Sequence, residues 1–155
     1  MQTRTRLHDL CAADLMQREL ITAHADDPLR EVERLLVDAQ VSSVPVVDDT
    51  GAVLGVVSMR DVVTRYADSS GMRDADDDLE DDESPWTTAG EEPCASDLMT
   101  TEVVRVAPHT DLAGLAKAMV DNVVHRVLVV ENDRLLGLVS TMDVLRAIAE
   151  HPPRD

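Results

Sequence analysis

The sequence GVVSMRD at residues 55–61 recurs as GLVSTMD at residues 137–143. A second pair of matching stretches, CAADLM at residues 11–16 and CASDLM at residues 94–99, has an offset that differs from the first by a single residue. A nearly constant offset over such a distance indicates a tandem repeat, in which each copy forms one structural unit. We therefore expect the same fold, and the same candidate site, to occur twice in this chain.

Composition and charge exclude several classes of protein. The 155 residues are 44% hydrophobic, which is sufficient for a folded core, and 31 acidic against 14 basic residues give a net charge of −17. Such a chain repels phosphate backbones, so nucleic-acid binding is not expected. No apolar run approaches the ~18 residues that cross a bilayer, and residues 1–9 lack the apolar segment of a secretory signal. We expect a cytoplasmic protein that binds neither nucleic acid nor a membrane.

Both repeats show the order strand, helix, strand, strand, helix. Asp27 and Pro28 predict a helix start in the first repeat, and Thr110 predicts one in the second. Apolar residues at three- and four-residue steps predict inward helix faces that include Val120 and Val123 in one helix and Leu145 and Ile148 in the last. The expected organisation is a tail at 1–10, a first repeat at 11–67, an acidic connector at 68–93, a second repeat at 94–150 and a tail at 151–155.

The connector contains a run of like charges at residues 74–83. Such a run repels itself and is expected to be a disordered or loosely helical, solvated linker, with partner docking or cation binding as the alternative. Trp86, the only tryptophan, is expected to anchor this segment against the folded body, because a lone tryptophan is costly to leave in water.

Catalytic and metal-binding chemistry have no support in the sequence. The two cysteines, Cys11 and Cys94, occupy equivalent positions and have no partner at metal-ligand spacing. They are interpreted as small residues beside a short helix, with a disulfide or a redox sensor as the alternative. The five histidines are scattered without the spacing of a metal site. Because no activated nucleophile is apparent, we do not expect an enzyme.

The repeated motif Gly-apolar-apolar-Ser-x-x-Asp places Ser58 and Ser140 where a strand ends and a helix begins. Unpaired N–H groups at a helix start favour a phosphate. An aspartate one turn later, Asp61 or Asp143, could accept the hydroxyls of a ribose, and the glycine lets a ligand approach the strand. The motif therefore predicts a nucleotide site. The alternative is a capping box, since Ser-x-x-Asp also satisfies a helix start without any ligand.

Together with Val-Pro-Val-Val-Asp at residues 44–48, these motifs resemble those of a tandem pair of CBS domains, also called a Bateman module. The resemblance covers nearly the whole chain except the tails and the connector. It implies an α/β (α+β) fold in which two strand-helix-strand-strand-helix repeats pack sheet to sheet with pseudo-two-fold symmetry. It also implies binding of AMP, ADP, ATP or S-adenosylmethionine in clefts between the repeats.

Carried over by position, the resemblance implies phosphate contacts at Ser58 and Ser140, ribose contacts at Asp61 and Asp143, and Thr22 near the base. Residues 125–129, His-Arg-Val-Leu-Val, are similar to a His-Arg-Leu-Pro-Val stretch in the γ subunit of AMP-activated protein kinase, where the basic pair faces phosphates. The full ligand-binding set implied is Thr22, Val44, Pro45, Ser58, Arg60, Asp61, Val104, His125, Arg126, Val127, Ser140 and Asp143.

The second repeat departs from the family pattern. Leu128 replaces the usual proline, Met142 stands where the first repeat has Arg60, and residues 42–43 are both serine where the second repeat has the basic pair. The two sites are therefore expected to differ in positive charge, and one to prefer a less phosphorylated ligand or stay empty. An imidazole such as His125 also serves as a packing or capping residue in many folds, which leaves its role open.

Two functions from different classes remain. The first is a regulatory module that senses adenine nucleotides, with or without magnesium, needs no other cofactor, forms the family's usual homodimer and signals to an unknown effector protein. The second is a dimerising scaffold without a ligand, in which both Ser-x-x-Asp motifs are only helix caps.

Overall fold

The computed structural model describes residues 6–70 and 92–152. Residues 74–83 and Trp86 lie outside the described residues, so the predictions made for the acidic run and for the tryptophan stay untested. A 3-10 helix (Leu7–Asp9) comes first. The α-helices and strands that follow are α1 (Ala12–Leu15), β1 (Ala23–His24), α2 (Leu29–Asp38), β2 (Ser43–Val47), β3 (Val53–Ser58), α3 (Met59–Ser70), α4 (Ala95–Leu98), β4 (Arg105–Val106), α5 (Leu112–Asn122), β5 (Arg126–Glu131), β6 (Arg134–Ser140) and α6 (Thr141–Glu150).

The described residues form two compact units. The first unit contains residues 21–49, 53–70 and 92–101, and the second contains residues 6–20, 50–52 and 102–152. Each unit has one three-stranded sheet, in the order β1-β2-β3 and β4-β5-β6. In each sheet the short first strand is parallel to the second, and the second and third strands are antiparallel. The predicted α+β class is therefore confirmed.

Each unit buries its own cluster of aliphatic side chains. In the first unit Leu29, Val32 and Leu36 of α2 pack with Val44 and Val57 of the sheet. In the second unit Leu115 and Met119 of α5 pack with Val127, Val129 and Val139. The inward residues of both long helices follow three- and four-residue steps, as the sequence predicted.

The two shortest α-helices are exchanged between the repeats. α1 precedes the first repeat in the sequence but lies in the second unit, where Gln17 and Leu138 exchange N–H···O bonds of 2.9 and 3.1 Å. α4 precedes the second repeat and lies in the first unit, where Val56 and Thr100 exchange bonds of 3.0 and 2.9 Å. Residues 17 and 100 therefore add backbone bonds to β6 and β3, an arrangement that the linear repeat does not predict.

Cys11 and Cys94 are the N-cap residues of α1 and α4. The N–H and Sγ of Cys11 donate to Asp14 Oδ2 at 2.9 and 3.2 Å, and Cys94 makes the same bonds to Asp97 at 3.0 and 3.3 Å. The backbone bond, followed by the thiol bond, lowers the pKa of Asp14 and of Asp97 below the ordinary value. Both cysteines are free thiols and half-buried, which agrees with the interpretation as small residues at short helices.

Several predicted element boundaries are wrong. β1 and β4 are two residues long, and Thr22 and Val104 directly precede them. The N-cap of α2 is Pro28, because the Asp27 carboxylate accepts from the His24 N–H at 2.8 Å instead of capping the helix. Asp111 rather than Thr110 caps α5, since its side chain accepts from the Gly114 N–H at 2.7 Å.

Part of the predicted inward face is also wrong. Val120 and Val123 are 74% and 86% exposed, and Leu145 and Ile148 are 53% and 41% exposed. In α6 the buried residues are instead Asp143, Val144 and Ala147. The helix is apolar on two faces, and periodicity does not show which of two apolar faces meets the core.

Candidate functional site

Each unit has a junction at which the last strand of its sheet runs directly into a helix. β3 ends at Ser58 and α3 begins at the next residue, while β6 ends at Ser140 and α6 begins at the next residue. Ser140 has extended backbone angles, φ −99° and ψ 162°, so it closes the strand and caps the helix at once. The predicted position of both serines is confirmed.

The serine and aspartate of each junction bond to one another. The N–H and hydroxyl of Ser140 both donate to Asp143 Oδ2 at 2.8 Å, and the Asp143 N–H donates back to Ser140 Oγ at 3.2 Å. Ser58 and Asp61 repeat this network at 2.7, 2.7 and 3.2 Å. The capping-box alternative is therefore realised in both copies of the motif.

The N–H groups at these helix starts are less available than predicted. The Met59 N–H donates to Ser42 O and the Thr141 N–H donates to His125 O, both at 2.8 Å. The third N–H of each helix, from Asp61 or Asp143, donates to its serine hydroxyl. The expectation that these donors wait for a phosphate is wrong at the first and third positions, because the chain already pairs them.

The cap uses only one oxygen of each aspartate. Oδ2 of Asp143 accepts both serine donors, while Oδ1 lies 3.7 Å from Arg146 Nη1. Asp143 is 8% exposed and Asp61 is half-buried. A carboxylate has about four lone-pair sites, so a capping aspartate keeps acceptor capacity on its second oxygen. Capping and acceptance of a ligand hydroxyl are therefore compatible at the same side chain.

The glycine of each motif serves the chain itself. A Cβ built on Gly55 would lie 2.6 Å from Thr100 O, and one on Gly137 would lie 2.8 Å from Gln17 O. These are contacts that a real Cβ cannot make, so the glycines admit the crossing segments that carry α4 and α1. The expectation that the glycine admits a ligand is therefore replaced by a structural role.

The strand register brings further predicted residues to the junctions. Ser43 is the partner of Ser58, and Arg126 is the partner of Ser140. Directly opposed residues of antiparallel strands project to the same face of the sheet. The second junction therefore has an exposed arginine beside its serine, where the first has a half-buried serine.

The remaining predicted residues divide by unit and by burial. Val44 and Val127 are 1% exposed and belong to the two cores, so only their backbone could meet a ligand. Pro45 is also buried, whereas Arg60 and His125 are exposed. Thr22 and Val104 are half-buried beside β1 and β4, and Val104 O accepts from the Leu128 N–H at 3.0 Å.

Thr141, the first residue of α6, contacts the second junction although the sequence motifs do not single it out. Its hydroxyl donates to His125 O at 3.1 Å, and the same carbonyl accepts the Thr141 N–H. The signal was present, because a hydroxyl residue follows the motif serine only in the second repeat.

Two kinds of feature are absent from the described ranges, a cluster of metal-ligating side chains and a membrane-spanning helix. No group of three or more His, Cys, Asp or Glu side chains that could hold a metal ion occurs among residues 6–70 and 92–152. In the same ranges no helix has both the length and the apolar character needed to cross a membrane.

Two α+β units with equivalent strand–helix junctions define a tandem-repeat module. The CBS domain family matches residues 12–68 and 95–150, so the chain belongs to this family and contains two copies of the domain. The 5'-AMP-activated protein kinase subunit gamma-3 of Sus scrofa is 32% identical over 136 residues, which cover 87% of this chain and 24% of that subunit. The chain thus spans about a quarter of the length of this relative.

Solved structures show the same fold. CBSX2 in complex with AMP matches with a TM-score of 0.72 at 22% identity, over 90% of this chain and 96% of that chain. The CBS domain pair of protein MJ0100, in complex with 5-methylthioadenosine and S-adenosyl-L-methionine, matches with a TM-score of 0.70 at 19% identity, over 91% and 97%. The predicted family and fold are confirmed by these comparisons.

Proposed function

We propose that this chain is a cytoplasmic regulatory module, not an enzyme, that binds an adenosine-containing ligand at its strand–helix junctions and signals to an effector protein. The observation that carries the proposal is the duplicated serine–aspartate network, which occurs in both units with the same bonds and leaves Oδ1 of each aspartate outside the cap. The similar proteins bound to AMP and to S-adenosyl-L-methionine support this class of ligand.

The residues at each junction have complementary roles in this proposal. Oδ1 of Asp61 or Asp143 accepts from ribose hydroxyls, and a rotated hydroxyl of Ser58 or Ser140 donates to a phosphate. Thr22 or Val104 lies beside the base, together with backbone groups of the neighbouring strand. Magnesium would accompany a di- or triphosphate, because an acidic chain needs help to bind a highly charged anion.

Positive charge is supplied differently in the two units. In the second unit Arg126 and His125 stand at the start of β5, and a guanidinium can hold a phosphate through two N–H groups. In the first unit Arg60 stands on the first turn of α3 and is exposed. The same ligand would therefore meet its cationic partner from a strand in one unit and from a helix in the other.

The test is isothermal titration calorimetry with AMP, ADP, ATP and S-adenosylmethionine, with and without magnesium, on the wild type and on Asp61→Asn and Asp143→Asn. Asparagine keeps one oxygen for the cap and removes the carboxylate, so affinity should fall at least tenfold while the fold persists. Asp14→Asn and Asp97→Asn are matched controls, because they alter caps that lie outside the proposed sites. The proposal fails if the folded wild type binds none of these ligands, or if all four variants bind equally well.

A scaffold without a ligand is the second candidate, and the closed capping networks favour it, since both junctions are satisfied by the chain alone. Calorimetry separates the two candidates, because the scaffold predicts no heat of binding with any ligand. In the scaffold, loss of a cap costs only about 0.5–2 kcal/mol of stability.

Both candidates include a homodimer, and the exposed apolar residues support it. Val37 and Val63 in the first unit are 64% and 60% exposed, and their equivalents Val120 and Leu145 in the second are 74% and 53% exposed. Two copies of a chain with a net charge of −17 repel one another except through an uncharged face. We therefore propose that these helix positions contact a second copy of the chain.

Sedimentation equilibrium tests the dimer. Leu145→Glu and Val63→Glu should shift the mass from dimer to monomer, because each buries a carboxylate in the contact. Thr64→Glu, an exposed neighbour on α3, should leave the mass unchanged. A monomeric wild type would contradict the dimer without affecting the proposal on ligand binding.

A further inference from the structure

The carbonyl of His125 accepts two hydrogen bonds from one residue. The Thr141 N–H donates to it at 2.8 Å, and the Thr141 hydroxyl lies 3.1 Å from it and 3.6 Å from Met119 Sδ. A hydroxyl has a single hydrogen and a thioether sulfur is a weak acceptor, so the carbonyl is the preferred partner. This carbonyl belongs to the peptide that joins His125 to Arg126, the first residue of β5. Thr141 therefore ties the first turn of α6 to the place where the basic pair enters the sheet.

The first unit has no hydroxyl at the position of Thr141. Its equivalent carbonyl, on Ser42, accepts the Met59 N–H at 2.8 Å, and a methionine side chain has no hydroxyl to donate. The hydroxyl bond thus occurs in the unit that has the basic pair. In the first unit the equivalent carbonyl, on Ser42, precedes Ser43 instead of an arginine.

The segment that leads from α5 to His125 contains a strained residue, and a second hydrogen bond at His125 helps to hold this segment in place. Val123, the C-cap of α5, has φ 53° and ψ 48°, in the left-handed region. A β-branched residue in this region is strained, and strain of this kind persists only where surrounding contacts hold it. The equivalent residue of the first unit, Gln40, also has a positive φ of 54° but is not β-branched.

We propose that Thr141 is a positioning residue that fixes the His125–Arg126 peptide, so that the second unit is the one that selects for the phosphate of an adenosine ligand. This inference rests on the proposed function. A guanidinium contributes most when its fork is already oriented, because less conformational entropy is then lost on binding. Removing the hydroxyl loosens the start of β5 and weakens the phosphate contact, while the contacts to ribose and base stay as they are.

The experiment compares AMP with adenosine, which has no phosphate. Affinities are measured by calorimetry, and the imidazole NMR signals of His125 report binding at the second unit. In Thr141→Val, AMP should bind about three- to tenfold more weakly, the effect of one hydrogen bond, while adenosine binds as in the wild type. Thr141→Ser restores the hydroxyl and should restore the affinity for AMP. Met59→Val changes the equivalent position of the first unit. It should leave unchanged the ratio of the AMP affinity to the adenosine affinity that the His125 signals report.

The outcomes are distinct. If Thr141→Val weakens AMP and adenosine equally, or weakens neither, the positioning role is overturned while the proposed function stands. If the folded wild type binds neither compound, this inference is overturned, whereas the proposed function fails only if ADP, ATP and S-adenosylmethionine do not bind either. Circular dichroism melting checks the fold of each variant. Should Thr141→Val unfold, Thr141→Ala provides the same comparison without the added methyl group.

Discussion

Gly137 and Met16 are in direct contact across the second unit, and a Cβ built on Gly137 would lie 2.7 Å from Met16 Sδ. The neighbouring Gln17 O would be at 2.8 Å. The sulfur sits at the end of a flexible side chain, but the carbonyl is backbone that is bonded to Leu138. The absence of a side chain at Gly137 therefore leaves room for the segment after α1 to cross β6.

Gly137→Ala and Gly55→Ala should each lower the free energy of unfolding by about 1–3 kcal/mol, the usual cost of forcing extra atoms into a packed site. The measurement is urea unfolding followed by circular dichroism. Gly114→Ala is the comparison, because its Cβ would meet side-chain atoms of Thr110 and Asp111 rather than backbone. The loss at Gly114 should be smaller. Equal stability of wild type and Gly137→Ala would show that the crossing segment moves aside at little cost.

Much of the fold could be predicted from the repeat. Matching motifs at a near-constant offset gave the duplicated order of elements and placed Ser58 and Ser140 at strand ends. The turn at Asn132 and Asp133 is also local, since asparagine and aspartate tolerate the positive φ of 51° and 64° that they adopt. These features are local, since each depends on residues that are neighbours in the sequence.

The remaining features depend on contacts between distant residues. Nothing in the sequence near Gly137 indicates that the backbone of Gln17 lies against it, so the glycine was assigned to a ligand. Leu145 has the spacing of a core residue and is exposed, because α6 has two apolar faces. The bond from Thr141 to His125 joins the start of a helix to the start of a strand. The two residues are far apart in the sequence, so no local pattern predicts it.

The N-cap cysteines provide a second prediction. In Cys11→Ser and Cys94→Ser the hydroxyl should keep the bond to Asp14 or Asp97, and serine is a strongly preferred N-cap residue. These variants should match or exceed the wild type in thermal unfolding. Cys11→Ala and Cys94→Ala should each be about 0.5–2 kcal/mol less stable than the corresponding serine variant, because alanine neither donates to the aspartate nor caps the helix. If the alanine variants are as stable as the serine variants, the thiol contributes nothing to the cap.

The lowered pKa values of Asp14 and Asp97 predict a dependence on pH. The bonds from Cys11 and Cys94 favour the ionised carboxylates in the folded state, so the stabilisation is present above the unfolded pKa of about 3.9 and is lost as the pH falls through the folded pKa. Asp14→Asn and Asp97→Asn should therefore be less stable than the wild type at about pH 7, and the difference should shrink at about pH 3.

Urea unfolding of these variants at both pH values measures this change. Asp121→Asn is the control, since Asp121 is exposed and pairs with Lys117 on the surface of α5, at 2.6 Å. Surface pairs of this kind contribute little, so its effect should be small at both pH values. A deficit in Asp14→Asn that stays constant from about pH 7 to about pH 3 would contradict the role of the charged form.

The strained Val123 gives the last prediction. Val123→Asn should raise the free energy of unfolding by about 1 kcal/mol, because asparagine tolerates the left-handed conformation that a β-branched residue resists. The residue is 86% exposed, so little packing is lost with the valine side chain. Thr64→Asn is the control, since it also replaces a β-branched residue at an exposed position, but one with ordinary helical geometry and outside the proposed dimer contact, so it should give no gain. Thermal unfolding measures both variants. If Val123→Asn is no more stable than Thr64→Asn, the conformation of Val123 is not a source of strain, and the second bond from Thr141 to His125 has no strain to oppose.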